Sequence, residues 1–483
     1  MDQTHRTKIV ATLGPASGAP ETVRGMLEAG ASVVRLNFSH GTPDEHGRRL
    51  EVARAAAGRL RAPLAVLLDL PGPKLRIGDL PGGAVTLVVG EPVVLVTNGA
   101  STSGGIPVDY RRLPDDVRPG QRIYLQDGEV ALMVRGVAPT RIQCVVECGG
   151  TLRAHTGLNV PGVRLSVPAL TDDDLRFLEW GIAHDVDYFG LSFVEDPAEI
   201  ERARRIVVER GGKARVIAKI ERRLALDRIE EIVAAADGVM VARGDLAVET
   251  SIEEVPVVQK SIIGLCNRLG KPVITATQML ESMITHSRPT RAEAADVANA
   301  VFDGTDALML SGETAIGAHP VAAVATMAAI AQRAEAALPD HLLLRERRRE
   351  RAAETDEAIA LAACEAAEAV GAAAIVASTD SGSTARRVSR FRPRRPIVAV
   401  THTPSTWRQL ALIWGVRPAL VEPVADLDAL VARGVRAAVD LGVARLGELV
   451  VVTAGFPLGR PGTTNFLKVV RIEPEHTAGR RPQ

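Results

Sequence analysis

Short, nearly unbroken apolar runs alternate along the chain with longer stretches in which apolar residues recur every three to four positions. The runs occupy residues 9–13, 32–36, 64–68, 188–193, 216–220, 238–241, 273–276 and 307–310. Runs without polar alternation predict parallel strands covered on both faces. The helical stretches cover 20–29, 44–60, 175–183, 196–209, 225–235, 253–269, 291–302 and 320–337. Thr171, followed by Asp172, Asp173 and Asp174, reads as a helix cap ahead of 175–183. Eight such units predict a (β/α)8 barrel.

Between 71 and 156 the pattern changes. Short Val-rich runs, such as 84–89, 93–96, 122–125 and 142–146, are separated by Gly, Pro and Asp. They predict a small β-barrel inserted after the third strand. Loops at that end of a barrel line the catalytic face, so the insertion is placed to act as a lid. After a charged stretch at 345–351 a second α/β pattern begins. Helical segments at 358–370, 385–391 and 427–441 interleave with strand-like runs at 373–377, 397–400 and 449–453. An open doubly wound sheet is expected there. The fold class is therefore α/β: a TIM barrel (1–70 and 157–338), an inserted all-β lid domain (71–156) and a C-terminal α/β regulatory domain (339–483).

The polar residues at the strand ends carry the chemistry. Arg35, Asn37 and Ser39 follow the second run, and Asp69 ends the third. Ser192 ends the fourth, Lys219 and Glu221 the fifth, and Arg243, Gly244 and Asp245 follow the sixth. Thr277 follows the seventh, and Ser311 and Glu313 the eighth. A barrel gathers all of these around one mouth. Lys219 at the end of a buried strand needs a negative partner. Glu221 and Asp245 suit a hard divalent cation, with Mg2+ preferred and Mn2+ as the alternative. Gly244 lets backbone amides approach an anion, and Arg35 offers a planar fork to phosphate or carboxylate. Together they indicate metal-assisted phosphoryl transfer on an anionic substrate.

Composition narrows the class. Lys+Arg and Asp+Glu both number 58, which disfavours a nucleic-acid or membrane-surface binder. Only seven of the basic residues are lysines, so each lysine is a candidate for a role that arginine does not fill. Four cysteines in 483 residues do not make a disulfide framework. The opening MDQTHRTKIV is too polar for a signal peptide, and no apolar run reaches about 18 residues. A cytoplasmic, soluble protein is expected. Gly270-Lys271 lacks the upstream glycine of a phosphate-binding P-loop, and there is no G-x-G-x-x-G or H-E-x-x-H.

Longer motifs then point to a family. TKIVATLGPAS at 7–17, VRLNFSHG at 34–41, Asp127-Gly128, LNVPG at 158–162 and KIE at 219–221 occur in that order. MVARGDL at 240–246, Gln259-Lys260, KPVITATQMLESM at 271–283, RPTRAEAADVANA at 288–300 and MLSGETA at 309–315 follow. Over nearly its whole length the chain resembles the pyruvate kinases. The resemblance implies phosphoenolpyruvate and ADP as substrates, pyruvate and ATP as products, and a homotetramer. It implies that Glu221 and Asp245 bind Mg2+ and that Lys219 stabilises the transferring phosphoryl group. Arg35 would contact phosphate, and Thr277 with the Gly244 and Asp245 amides would hold the substrate carboxylate. Thr277 and Ser311 would orient the water that protonates the enolate. Asn37, His40 and Arg76 would lie near the nucleotide phosphates, and Asp127 would approach on lid closure.

Departures from the family pattern matter as well. Asp69-Leu70-Pro71-Gly72-Pro73-Lys74 carries Leu70 and Lys74, as do members that do not need K+. Lys74 would then replace the ion, leaving Asn37, Ser39 and Asp69 to serve position. His155-Thr156 stands where Lys-Lys is common, Ala247 replaces a common glycine, and Glu195 stands where a basic residue is common. In the C-terminal domain Ser378, Thr379, Ser381, Gly382, Ser383 and Thr384 lead into a predicted helix and suit an anion. Asp380, at a position often Lys, favours a sugar monophosphate or AMP over a doubly phosphorylated sugar. Residues 459–465 are expected to complete that site. The alternatives are a Schiff-base barrel aldolase using Lys219 and a non-catalytic metabolite sensor.

Overall fold

The computed structural model describes residues 5–97, 104–338, 354–457 and 463–477. The charged stretch at 345–351 and residues 459–462 lie outside the described residues. The first three strands are β1 (Lys8–Thr12), β2 (Val33–Asn37) and β3 (Ala65–Asp69). The inserted domain holds β4 (Ala84–Leu87), β5 (Pro92–Val96), β6 (Ile106–Pro107), β7 (Arg122–Leu125), β8 (Val130–Ala138), β9 (Arg141–Cys148), β10 (Gly150–Arg153) and β11 (Leu158–Asn159). The chain returns with β12 (Tyr188–Leu191), β13 (Arg215–Ile220), β14 (Gly238–Ala242), β15 (Val273–Ala276) and β16 (Ala307–Leu310). The C-terminal sheet has β17 (Ala374–Ser378), β18 (Ile397–Thr401), β19 (Val416–Leu420), β20 (Leu449–Gly455) and β21 (Thr464–Arg471).

Eight parallel strands close into a barrel in the order β1-β16-β15-β14-β13-β12-β3-β2. The strands are buried on both faces, which is why they read as unbroken apolar runs. Val10, Val33, Leu67, Tyr188, Ile217, Met240, Ile274 and Met309 fill the barrel interior. Ala411 and Leu412 of the C-terminal domain join the same cluster, so that domain plugs one end of the barrel.

The inserted domain differs in detail from the small β-barrel expected. It is an open six-stranded sheet, β11-β7-β8-β9-β5-β6, beside a two-stranded sheet of β10 and β4. Its own core includes Leu95, Leu113, Ile123, Leu132, Ile142 and Leu152. The C-terminal sheet runs β19-β18-β17-β20-β21, with only β21 antiparallel. Among the described residues no helix is long and apolar enough to cross a membrane. All four cysteines are free, and only Cys148 is exposed.

Candidate active site

Lys219 lies at the C-terminal end of β13, where the alternation of the strand turns it into the mouth. Its ammonium touches Ser192 Oγ at 2.7 Å, Glu221 Oε1 at 2.8 Å and Asp69 Oδ1 at 3.0 Å. Burial works against its charge, but the Asp69 and Glu221 carboxylates outweigh burial and hold the amine above its usual pKa. Asp69 is 1% exposed and also receives Arg35 Nε on Oδ2 at 2.7 Å. Arg35 Nη1 donates to Thr12 Oγ1 at 3.2 Å. The register that pairs Asn37 with Asp69 and Gly190 with Asp69 places this carboxylate between β2 and β12. Removing one member of such a buried pair costs about 3–5 kcal/mol.

Glu221 and Asp245 fit a hard cation. Glu221 is 2% exposed, and its Oε2 accepts from the Phe193 amide at 2.7 Å. Asp245, partly buried after β14, has its carboxyl pKa pushed up to about 6 by burial and then by Glu221; Lys219 and Lys74 oppose that, and Asp127 adds to it. Two cations (Arg35, Lys219) face three carboxylates (Asp69, Glu221, Asp245), so the donor set has a negative charge left to neutralise. Among the described residues no three or more His, Cys, Asp or Glu side chains form a self-sufficient metal site. A metal held by these two carboxylates would complete its shell with substrate oxygens and water.

Thr277 follows β15 with φ +70°, a costly conformation for a β-branched residue. The Gly244 amide donates to its Oγ1 at 2.9 Å, and that hydroxyl donates to Ala276 O at 2.6 Å. Its carbonyl accepts from Arg243 Nη2 at 2.6 Å, while Arg243 Nη1 is held by Asp296 at 2.7 Å. Ser311 donates its amide to Glu313 Oε2 at 2.7 Å, and its Oγ is buried with no hydrogen-bond partner. Glu313, fully buried, also accepts from the Leu280 amide, tying the loops after β15 and β16 together. Strand-end position marked Arg243 and Glu313 in the sequence. Their work as clamps, and the whole contribution of Asp296, depended on contacts that no local signal carries.

The rim is cationic. His40 is exposed, and its pKa is lowered by partial burial and by Lys74, Arg76 and Arg35. Asn37 Oδ1 accepts from the Ser39 amide at 3.2 Å. Leu70 is 1% exposed; its carbonyl receives Ser192 Oγ at 2.6 Å. Arg76 Nη1 donates to His155 O at 2.9 Å. Lys74, Asp127, Gly157, Phe193, Arg222 and Asp245 line one cleft between the inserted domain and the barrel. Asp127 has φ +54°, and the next residue, Gly128, lies against Val248 of the barrel.

A second cavity of about 280 Å³ opens in the C-terminal domain. Ser378, Thr379, Ser381, Ser383 and Thr384 line it, with Gly382 (φ +82°) capping the helix Ser383–Arg390. Thr463 and Thr464 line the other wall, as does Arg433. Asp380 faces His402, whose Nδ1 is 3.2 Å from its carboxylate.

Comparison with known proteins agrees with this geometry. The family model "Pyruvate kinase, barrel domain" matches residues 4–324, and "Pyruvate kinase, alpha/beta domain" matches 357–470. A pyruvate kinase of Clostridium acetobutylicum is 43% identical over 477 residues, covering 97% of this chain and all of that one. One from Staphylococcus aureus is also 43% identical over 477 residues, covering 98% of this chain and 82% of its own. With a closed barrel, a polar mouth fed by all eight strands and both domain models matched, the chain belongs to the pyruvate kinase family.

Proposed function

We propose that the barrel mouth performs the family's phosphotransfer, from phosphoenolpyruvate to ADP, with Lys219 as its central electrostatic group. The observation that carries this reading is the charged Lys219 ammonium held at 2.8–3.0 Å between Glu221 and Asp69. Arg35 takes the phosphate, keeping one edge of its guanidinium on Asp69. Thr277, with the Gly244 and Asp245 amides, takes the substrate carboxylate. As the phosphorus–oxygen bond to the enol breaks and a bond to the nucleotide's terminal phosphate oxygen forms, Lys219 stabilises the charge on the phosphoryl group in flight. The enolate then takes a proton on its methylene carbon from a water oriented by Thr277 and Ser311. Glu221 and Asp245 would hold Mg2+ or Mn2+, which supplies charge neutralisation for phosphate and enolate oxygens when bound.

Asn37, His40 and Arg76 offer the nucleotide phosphates a polar rim, and Asp127 meets them from the lid. An aldolase reading is disfavoured because an imine-forming lysine must be neutral, whereas two carboxylates keep Lys219 protonated. In the C-terminal cavity the hydroxyls and the helix start suit one phosphate group, as in a sugar monophosphate or AMP, while the Asp380 carboxylate repels a second. A homotetramer is the assembly we expect from the family.

Independence from K+ is part of the proposal. Both Asp69 oxygens face Arg35 and Lys219, and Asn37 Oδ1 is turned onto the Ser39 amide, so neither is idle for an ion. The Lys74 ammonium instead acts on Asp245 and His40 across the cleft. The test is a coupled assay for pyruvate with phosphoenolpyruvate, ADP and Mg2+, with Na+ and K+ replaced by a bulky organic cation. Full rate is expected. A large loss that K+ restores would overturn the role of Lys74.

A further inference from the structure

Glu195, which stands where the family commonly has a basic residue, has a partner in the fold. Its Oε1 lies 3.4 Å from Arg222 Nη2, and Arg222 directly follows the segment bearing Lys219 and Glu221. Arg222 is 5% exposed. Its Nε lies 3.3 Å from Glu249 Oε2, and its Nη2 donates to the carbonyl of Val163 at 2.7 Å. Val163 belongs to the segment by which the chain leaves the inserted domain and re-enters the barrel. The neighbouring Asn159 and Gly162 act on the Glu249 carboxyl as well. A buried guanidinium between two carboxylates is expensive to assemble and is poor evidence of added stability. Its defining contact is with a backbone carbonyl of this hinge.

The other hinge is tied to the same strand end. Lys219 donates to Ser192 Oγ, which donates to Leu70 O at the start of the inserted domain. The Phe193 amide donates to Glu221, and Glu195 pairs with Arg222. Residues 192–195 therefore run as a strip against 219–222, touching the first hinge at one end and the second at the other. Arg222 also borders the cleft that holds Lys74, Asp127 and Asp245.

We infer that Arg222, gripped by Glu195 and Glu249, is a positioning residue that fixes the second lid hinge to the strand carrying Lys219 and Glu221, so that Asp127 meets the nucleotide in register with the phosphoryl site. This rests on the reading that nucleotide binds beneath the inserted domain. Loosening the clasp therefore penalises the substrate that needs the lid and spares the one held by the barrel alone.

The test compares full-length wild type, Arg222→Met, Glu195→Gln and the double variant by steady-state kinetics and by hydrogen exchange of the amides of residues 158–160, 162 and 163. Arg222→Met should raise KM for ADP about tenfold, leave KM for phosphoenolpyruvate and kcat within threefold, and speed exchange at those amides. Glu195→Gln, which keeps size and shape, should move the same quantities less and guards against a folding failure of the methionine variant. The double variant should be little worse than Arg222→Met, because the Glu195–Arg222 contact is already lost there and Glu195 keeps only a longer pairing, 3.7 Å, with the exposed Arg164. Unchanged hinge exchange, or both KM values rising together, would overturn the inference. An inactive wild type would instead strike the functional reading, and the exchange measurement would still judge the clasp.

Discussion

Thr277 shows what single residues contribute. A φ of +70° on a β-branched residue persists only where neighbours over-determine it. Arg243 does this with one planar group, donating to the Thr277 carbonyl while anchored on Asp296. Lysine carries the charge but not the fork. Arg243→Lys should therefore lower kcat/KM for phosphoenolpyruvate at least tenfold, about 1.4 kcal/mol, with an unchanged circular dichroism spectrum. Retained kcat/KM would show that the clamp does not set the site. Position after β14 was readable for Arg243, but its anchor comes from a helix 53 residues further on. Glu195 was anomalous in the sequence for the same reason: its partner Arg222 is near only in the folded chain.

Helices and strands were the most legible level. The helix Pro320–Ala337 has the bounds its pattern predicts, and Thr171 caps the helix Asp172–Ala183, which begins three residues before the expected 175 because Asp172, Asp173 and Asp174 form its first turn. The stretch at 225–235 departs, because non-helical Arg228 divides it into Arg223–Asp227 and Ile229–Ala235. β19 and β21 lack a continuous apolar run because they lie at the sheet's two edges, half open to solvent. Some caps do more than end an element. Asp174 is fully buried, closes a capping box with Thr171 and accepts from the Gly72 amide at 3.1 Å. Gly72 has φ +65°, and a Cβ there would meet Ser192 Cβ at 2.9 Å. Asp174→Ala should destabilise the barrel by about 1–3 kcal/mol, read as a lower thermal midpoint. It should also raise KM for ADP, since the segment that enters the inserted domain is freed. An unchanged midpoint would show that the cap is not structural.

At the scale of the whole molecule, the C-terminal domain is joined to the end of the barrel opposite the mouth. Tyr188 OH donates to Gln409 O, Arg215 Nη2 to Ser381 O, and Lys8 Nζ to Val416 O. Three domains were readable from changes in periodicity; this junction was not, because its groups are scattered polar residues without a shared pattern. Lys8 is 2% exposed, and burial, helped by Arg417 and opposed by Glu335, lowers its pKa to about 7. Below pH 7 both folded and unfolded chains carry the proton. Between pH 7 and about 10.4 the unfolded chain binds it and the folded chain does not, so this group makes stability rise with pH, by up to about 1.4 kcal/mol per unit. Lys8→Met removes that contribution. Its thermal midpoint relative to wild type should thus be most favourable at pH 7 and fall as pH rises to 9.5. Parallel profiles would contradict the assignment.

Phosphoryl transfer at a mouth organised around one charged lysine is the claim on which the rest depends. The most direct measurement is the initial rate of pyruvate formation from phosphoenolpyruvate, ADP and Mg2+ by wild type and Lys219→Met, both checked for native circular dichroism. Robust turnover by wild type and a loss of at least a thousandfold in the variant, about 4 kcal/mol, are predicted. A folded Lys219→Met protein working near the wild-type rate would contradict it.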